Sequence, residues 1–167
     1  MKAENHYKNS SFREKLIEHL FIGELLKLAW QNGDFLEIAK PEVDNQGYDL
    51  IAEINGVIRH IQLKSTKAGG KAARQNVHLG LSRKPAGAVV WIYFNEQTLE
   101  LGPFLYFGNE GIGPMKDIHS FKVATHTKAD SQGLKKERPE IRVLKKGTFV
   151  KYDTIQDLYR KLSAKHK

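Results

Sequence analysis

The sequence has no cysteine among its 167 residues and only two methionines. The lack of thiols excludes a disulfide framework, a zinc–thiolate site, an iron–sulfur cluster and a cysteine nucleophile. Long apolar runs are lacking too, since residues 86–94 fall far short of the roughly 18 to 20 residues that span a bilayer. The N-terminus is polar and unlike a signal peptide. We expect a soluble, cytoplasmic protein with no membrane partner, and the length predicts one domain over residues 1–167.

Charge is distributed unevenly along the chain. Acidic side chains are absent from residues 59–84, which carry seven Lys and Arg, and residues 128–167 carry twelve basic against five acidic side chains. Residues 1–58 and 85–127 are mildly acidic. Such clustering favours a polyanionic partner such as nucleic acid, because each Lys or Arg placed on a phosphate releases condensed counterions. The alternative is a solvated basic surface with no specific ligand.

Residue periodicity predicts an α/β chain with a helix at each end. Apolar residues recur at helical spacing over residues 12–32, and Gly33 follows as a stop signal. A closing helix is predicted over residues 154–164, with Asp153 or Thr154 as its N-cap. Between them, strand-like runs are separated by turn residues. The predicted strands are 35–39, 48–54, 57–64, 77–81, 88–94, 104–107, 121–125 and 140–144.

The first helix contains a carboxylate in an apolar position. On a helical wheel Glu24 falls inside the apolar stripe, whereas Glu14 and Glu18 lie at its margin, where solvation is easier. A carboxylate directed at a core is costly unless it is paired, hydrogen-bonded or bound to a metal. Glu24 is therefore a candidate functional acid. The alternative is that it lies at the end of the stripe and reaches solvent or a lysine.

A hairpin gives the strongest local signal. Asn55-Gly56 is a preferred two-residue type I′ turn between two strand-like runs. With that turn, facing residues place Asp49 opposite Gln62, and facing residues share one side of a sheet. Lys64 lies two residues beyond Gln62 and projects from the same side. The pattern predicts an acid, an amide and an amine at one place, although an ordinary polar sheet face has the same pattern.

These residues carry a resemblance to a known superfamily. Glu24 in an opening helix, Gly47-Tyr48-Asp49 before a strand, and residues 61–66 (IQLKST) on the next strand resemble the PD-(D/E)XK phosphodiesterases. The similar part is a motif core of residues 12–66, and the basic part at 128–167 is only compatible with the pattern. The resemblance implies a restriction-endonuclease-like α/β fold, in which a central mixed sheet is flanked by helices.

The resemblance also implies roles for the matching residues. Asp49 is the expected central ligand of Mg²⁺, which prefers oxygen donors, with Mn²⁺ as a substitute. The Gln62 side-chain carbonyl and the Leu63 backbone carbonyl are further expected ligands, and Glu24 would restore the charge that Gln62 lacks. Lys64 would orient the attacking water and stabilise charge on the scissile phosphate.

Two departures from the superfamily pattern bear on activity. Tyr48 stands where the proline of the motif is expected, and Gln62 stands where a glutamate is more usual. The second change lowers the expected metal affinity, and it leaves a non-cleaving member as an alternative. Asp44 is a rival acid, although Gly47 indicates that Asp44 belongs to the loop before the strand.

Basic residues after the motif predict a phosphate-binding segment. Ser65, Thr66, Lys67, Lys71 and Arg74 are its candidate nucleic-acid-binding residues, with Gly69-Gly70 giving flexibility between them. Several later cations would extend the same track only if folding places them on one surface. These cations are Lys135, Lys136, Arg138, Arg142, Lys145 and Lys146.

The sequence as a whole predicts a metal-dependent nuclease that acts on nucleic acid, with DNA favoured over RNA by the resemblance. A homodimer is compatible with cutting a duplex or a junction, but no segment identifies an interface. The alternatives are a nucleic-acid-binding module of the same fold that has lost cleavage, and a regulatory protein that docks an acidic partner through its basic patches.

Overall fold

A computed structural model describes residues 10–43, 46–109, 111–128, 131 and 133–164. The chain forms helix α1 and, after several strands, helix α2. The element bounds are α1 Ser10–Asn32, β1 Leu36–Ala39, β2 Leu50–Ile54, β3 Val57–Lys67, β4 Arg74–His78, β5 Gly87–Phe94, β6 Leu101–Gly108, β7 Val123–Thr125, β8 Glu137–Lys145, β9 Val150–Tyr152 and α2 Ile155–Ser163. Short 3₁₀ turns follow β4 at Leu79–Arg83 and β8 at Lys146–Thr148.

A central six-stranded sheet organises the fold, with strand order β1-β2-β3-β5-β6-β9. The β3–β5 pair is parallel, and the other neighbouring pairs are antiparallel. The expected α/β class with a central mixed sheet is confirmed. Strand β5 is buried along its whole length, as its continuous apolar sequence predicts for a strand covered on both faces.

Both helices cover one face of the central sheet. Phe21 and Leu25 of α1 and Leu158 of α2 belong to one core cluster with Ile61 of β3 and Val90 of β5. Thr154 caps α2, because its hydroxyl accepts a hydrogen bond from the Asp157 N–H at 3.1 Å. Glycine at position 33 ends α1 in the left-handed region, with φ of 69°. Both predicted helices and their end signals are confirmed.

A second sheet, rather than another helix, covers the opposite face. Strands β4, β8 and β7 pair in the order β4-β8-β7, and Leu144 of β8 packs with Trp91 and Phe107 of the central sheet. The strand predicted at 77–81 is instead β4 followed by a 3₁₀ turn. His78 begins that turn, since its Nδ1 accepts a hydrogen bond from the Gly80 N–H at 2.9 Å. No described helix is long and apolar enough to cross a membrane.

Candidate active site

The β2–β3 hairpin has the predicted register. Asn55 and Gly56 have positive φ values of 50° and 81°, as a type I′ turn requires. Ile54 pairs with Val57, and the pairing continues to Leu50 opposite Ile61. One residue further, the Asp49 N–H donates to the Ile61 carbonyl at 2.8 Å. In a regular ladder of this register, a residue opposite Gln62 would point its N–H away from β3. The bond from Asp49 to Ile61 therefore marks the end of the regular pairing at Leu50, and Asp49 departs from the position that the turn dipeptide and the strand period predict.

Strand β3 is longer than β2, and this leaves an open edge beyond Asp49. The Leu63 N–H points to that edge and donates to Asp49 Oδ2 at 2.6 Å. In an antiparallel ladder the N–H and C=O of one residue point to the same side. The Leu63 carbonyl is therefore directed to the same edge as the Asp49 carboxylate, where it is one of the predicted ligands.

A glycine brings the loop before Asp49 against the second sheet. Gly47 has φ of +76°, and a Cβ built there would lie 2.3 Å from the Cβ of His78. A larger residue would be strained in its backbone and would clash with β4. Gly47 thus allows the close approach that sets the direction in which the chain enters β2 at Asp49.

Gln62 lies buried on β3, one residue beyond Ile61, where the pairing with β2 ends. Its side chain is 9% exposed, and its Oε1 is buried with no hydrogen-bond partner among the described residues. A buried acceptor without a partner costs about 1 to 3 kcal/mol, so native structures rarely keep one without a water, an ion or a ligand.

A groove of about 520 Å³ opens at this edge. Asp49, Leu63 and Lys64 line it from the hairpin, and Ser65 continues the same strand. Gln75 of β4 closes one side. The N-terminal half of α1 adds a mixture of charges, through Arg13, Glu14, Lys15 and Glu18. Asp49 and Lys64 therefore line one groove, whereas Gln62, the third residue of the predicted constellation, is not among its lining residues.

Glu24 does not reach this groove. It lines a separate depression with Leu20 and Thr98 and pairs with Lys27, Oε2 to Nζ, at 2.5 Å. A helical wheel gives the direction of a side chain but not its height. Glu24 is ten residues beyond Glu14, and this corresponds to about 15 Å along the axis. The α1 carboxylates that line the groove are Glu14 and Glu18.

Glu18 differs from the solvated role that its wheel position indicated. Its side chain is only 8% exposed, and it pairs with Lys15 at 3.1 Å and also with Lys40, which follows β1. Burial alone would raise the pKa of Glu18, but hydrogen bonds and charges from Lys40 and Lys15 outweigh burial and hold that pKa below its usual value. Glu18 is therefore ionised, and both of its carboxylate oxygens are paired with lysines. Glu14, in contrast, is exposed.

The predicted donor atoms are of the kind that a hard divalent cation prefers. They are all oxygens: the Asp49 carboxylate and the Leu63 backbone carbonyl at the groove, and the Gln62 amide carbonyl, which is buried on the same strand and does not line the groove. The unpartnered Gln62 Oε1 is the observation that favours a ligand near it. Within the described ranges, no three His, Cys, Asp or Glu side chains cluster closely enough to hold a metal ion. Among the described residues, a cation here would therefore need amide and backbone oxygens beside Asp49. Asp44 lies outside the described residues.

The predicted nucleic-acid-binding residues have different surroundings. Ser65 lines the groove, but Thr66 Oγ1 accepts a hydrogen bond from the buried Trp91 Nε1 at 2.9 Å. Lys67 Nζ lies 3.4 Å from Glu96 Oε2. Lys71 and Arg74 are exposed.

The later basic residues are not all on one accessible surface. Arg142 is 9% exposed, and its guanidinium donates to the carbonyls of His119, Pro139 and Ile141. It therefore serves to hold the second sheet. Lys145 is exposed and directly opposite Arg74. Sequence alone gave no signal for this pairing, because the β4–β8 register joins residues 71 positions apart.

The comparisons with known proteins give one remote likeness. No protein-family model and no curated protein matches the sequence. Among solved structures, the chain is similar to the bacterial homing endonuclease I-Ssp6803I, with a TM-score of 0.35 and 18% sequence identity. The match covers 73% of this chain and 78% of that chain. At this TM-score the likeness assigns neither a fold family nor an activity.

Proposed function

We propose that the chain is a divalent-cation-dependent nuclease of the PD-(D/E)XK type, which hydrolyses phosphodiester bonds in nucleic acid, DNA above all. One observation carries the proposal. Asp49 and Lys64 line one groove at the open edge of β3, and on the same strand, two residues before Lys64, the buried Oε1 of Gln62 has no partner in the described chain.

The chain's own residues supply most of the chemistry in this proposal. Asp49 accepts the Leu63 N–H through Oδ2, and this bond fixes the plane of its carboxylate. Lys64 lines the groove as a cation that orients the attacking water and stabilises the negative charge that grows on the phosphate. Glu14 is the acid that α1 contributes, in place of Glu24. When bound, Mg²⁺ or Mn²⁺ supplies Lewis-acid catalysis at the oxygen donors.

The charge distribution supports a nucleic-acid substrate. The groove borders the segment 59–84, which has seven basic and no acidic residues. Of these cations, Arg59 is buried and donates to backbone carbonyls, and Lys67 and Arg83 pair with acids. The exposed Lys71 and Arg74 are available to raise the local concentration of a polyanion and to accelerate its association. The preference for DNA over RNA rests on the superfamily resemblance alone.

A non-cleaving nucleic-acid-binding module is the second candidate. It is favoured by the finding that, in the part of the chain that the structure describes, no three potential metal-ligating acids or histidines cluster. Such a module would bind nucleic acid with a strong salt dependence and would be insensitive to Mg²⁺.

Cleavage assays with matched variants test the proposal. Supercoiled plasmid, single strands, a branched junction and structured RNA are incubated with Mg²⁺, Mn²⁺ or EDTA. Wild type is compared with Asp49→Asn and Lys64→Met, and the controls are Asp153→Asn and Lys151→Met, which change an exposed pair away from the groove.

The expected result is metal-dependent cutting that Asp49→Asn and Lys64→Met lose and both controls keep. Salt-sensitive binding without cutting, under every metal condition, would favour the binding module. Cutting that survives both groove substitutions would place the activity elsewhere. A homodimer and a cytoplasmic location remain predictions.

A further inference from the structure

The second sheet places two cations directly opposite each other. Strand β4 pairs antiparallel with β8, and Arg74 faces Lys145 in that register. The Lys146 N–H donates to the Ala73 carbonyl at 2.8 Å and extends the pairing by one residue. Directly opposite residues share a face, with Cβ atoms about 4.5 to 5.5 Å apart, and like charges at such positions are destabilising.

Arg74 and Lys145 are both exposed, and neither forms an ion pair with a residue that the structure describes. The nearest acid of β8 is Glu140, five residues before Lys145 and therefore roughly 17 Å away along the strand. Glu140 lies instead 3.7 Å from Arg83, Oε2 to Nη2. The repulsion between Arg74 and Lys145 is thus best relieved by an external anion.

The two cations adjoin the groove in sequence but project from the other face of the second sheet. Gln75, the residue after Arg74, lines the groove, and its partner Leu144 is buried in the core. Because successive side chains of a strand point to opposite faces, Arg74 and Lys145 project from the outer face. Next to Lys145, the ammonium of Lys146 lies over the Tyr93 ring, 4.9 Å from its centroid. This end of the β4–β8 ladder therefore carries positive charge on the outer face of the second sheet, one residue from the groove.

We propose that Arg74 and Lys145, hereafter the Arg74–Lys145 pair, bind backbone phosphates of a nucleic acid that continues from the groove across the second sheet. Only the placement of the scissile bond in the groove rests on the proposed function. The guanidinium of Arg74 presents a planar fork of donors to a phosphate, while Lys145 acts as a point charge. Contacts to phosphates fix the register of the strand without reading its sequence.

Salt-dependent binding tests the Arg74–Lys145 pair independently of cleavage. Binding of a short fluorescent DNA duplex, its single strand and the matching RNA is measured in EDTA over a series of salt concentrations. The double variant Arg74→Gln/Lys145→Gln is compared with wild type and with the control Lys151→Gln/Arg160→Gln. The control removes the same charge from residues that pair with Asp153 and Asp157.

We expect the pair variant to lose two phosphate contacts. Its slope of log affinity against log salt for the duplex should be shallower than that of wild type by about 1.8, and its affinity at about 0.1 M salt should be weaker by roughly tenfold or more. The control should keep the wild-type slope. The three probes identify which nucleic acid the pair contacts, and a loss on any one of them supports the proposal.

Two results would overturn this inference. One is a pair variant with the slope of the control, and the other is a wild-type protein that binds none of the three probes. If wild type cuts nucleic acid while the pair variant keeps the control slope, the proposed function survives and the pair does not. If the pair variant loses binding but wild type cuts nothing, the inference about the Arg74–Lys145 pair survives and the proposed function does not.

Thermal unfolding at low ionic strength shows whether the pair variant folds. Because the substitutions relieve repulsion, its unfolding temperature should equal or exceed that of wild type. A lower unfolding temperature would count against the proposal, since it would mean that the chain itself balances both charges.

Discussion

The backbone N–H of Leu63 donates a hydrogen bond to Asp49 Oδ2 at 2.6 Å. This bond takes the place of the ladder bond that β2 stops providing at Leu50, where its pairing with β3 ends. One side chain thus closes the end of a hairpin and presents its carboxylate to the groove. Its structural and chemical roles are separable by substitution.

We predict that Asp49→Ala destabilises the fold more than Asp49→Asn does. Alanine leaves the Leu63 N–H without its acceptor, at a cost of about 1 to 3 kcal/mol. Asparagine keeps an oxygen in place but removes the charge. Denaturant unfolding gives the free energies, and cleavage assays give the activity, which both variants should lose. Equal unfolding free energies for the two variants would show that the hydrogen bond contributes little.

We predict that Gln62 is needed for cleavage but does not stabilise the fold. In Gln62→Met a side chain of similar shape replaces a buried carbonyl that has no partner among the described residues. The unfolding free energy should therefore stay the same or rise by up to about 2 kcal/mol, while metal-dependent cleavage is lost. A marked loss of stability would instead mean that Gln62 has a structural role.

Gln62→Glu tests the same position in the opposite direction. The added carboxylate is buried, so without a cation the free energy of unfolding should fall at neutral pH. Mg²⁺ should then raise the unfolding temperature of Gln62→Glu more than that of wild type, because a ligand that binds only the folded state stabilises it. Equal Mg²⁺ shifts would argue against a cation at Gln62.

Local sequence rules predict the hairpin well. The Asn55-Gly56 turn and the strand period suffice to give the pairing from Ile54–Val57 to Leu50–Ile61, since a two-residue turn allows one register. Asp49, one residue beyond, departs from that register, because its N–H bonds to Ile61. They also predict both helices, because apolar periodicity and a capping threonine are local signals.

The rest of the site depends on contacts that are distant in sequence. A helical wheel gives only the direction of the Glu24 side chain around the helix axis. The position of each residue along that axis determines which carboxylate reaches the groove, and Glu14 is the one that does. Likewise, the partner of Glu18 is Lys40, 22 residues away. The sequence does not predict that β4, β8 and β7 form a separate sheet. That sheet depends on the pairing of β4 with β8, and neither segment carries a local signal for this pairing.

Glu14 and Glu24 make a matched test of this placement. Glu14→Gln removes a carboxylate that lines the groove, and we expect cleavage to fall by tenfold or more if that charge acts there, about 1.4 kcal/mol in the barrier. Glu24→Gln changes a half-buried residue of the same helix that does not line the groove, and it should retain cleavage. The opposite pattern, with Glu24→Gln inactive and Glu14→Gln active, would restore the sequence-based assignment.

The ion pair between Glu18 and Lys40 should make stability depend on pH in a defined direction. The pKa of Glu18 is lowered in the folded chain from its usual 4.5. A group with a depressed folded pKa stabilises the fold fully above its unfolded pKa, and this contribution is lost as the pH falls through the folded pKa. Lys40→Met should therefore lower the unfolding free energy by about 1 to 2 kcal/mol near neutral pH, since Lys15 still pairs with the buried carboxylate.

The difference between wild type and Lys40→Met should shrink as the pH falls below 4.5, where Glu18 protonates in both proteins. Lys27→Met is the control from the same chain. The exposed Lys27 pairs with the half-buried Glu24 one helical turn away, and surface pairs along a helix contribute only about 0.3 to 0.5 kcal/mol. Denaturant unfolding across this pH range measures both variants. A Lys40→Met deficit that stays constant down to acid pH would assign the loss to packing of the lysine stem rather than to the charge on Glu18.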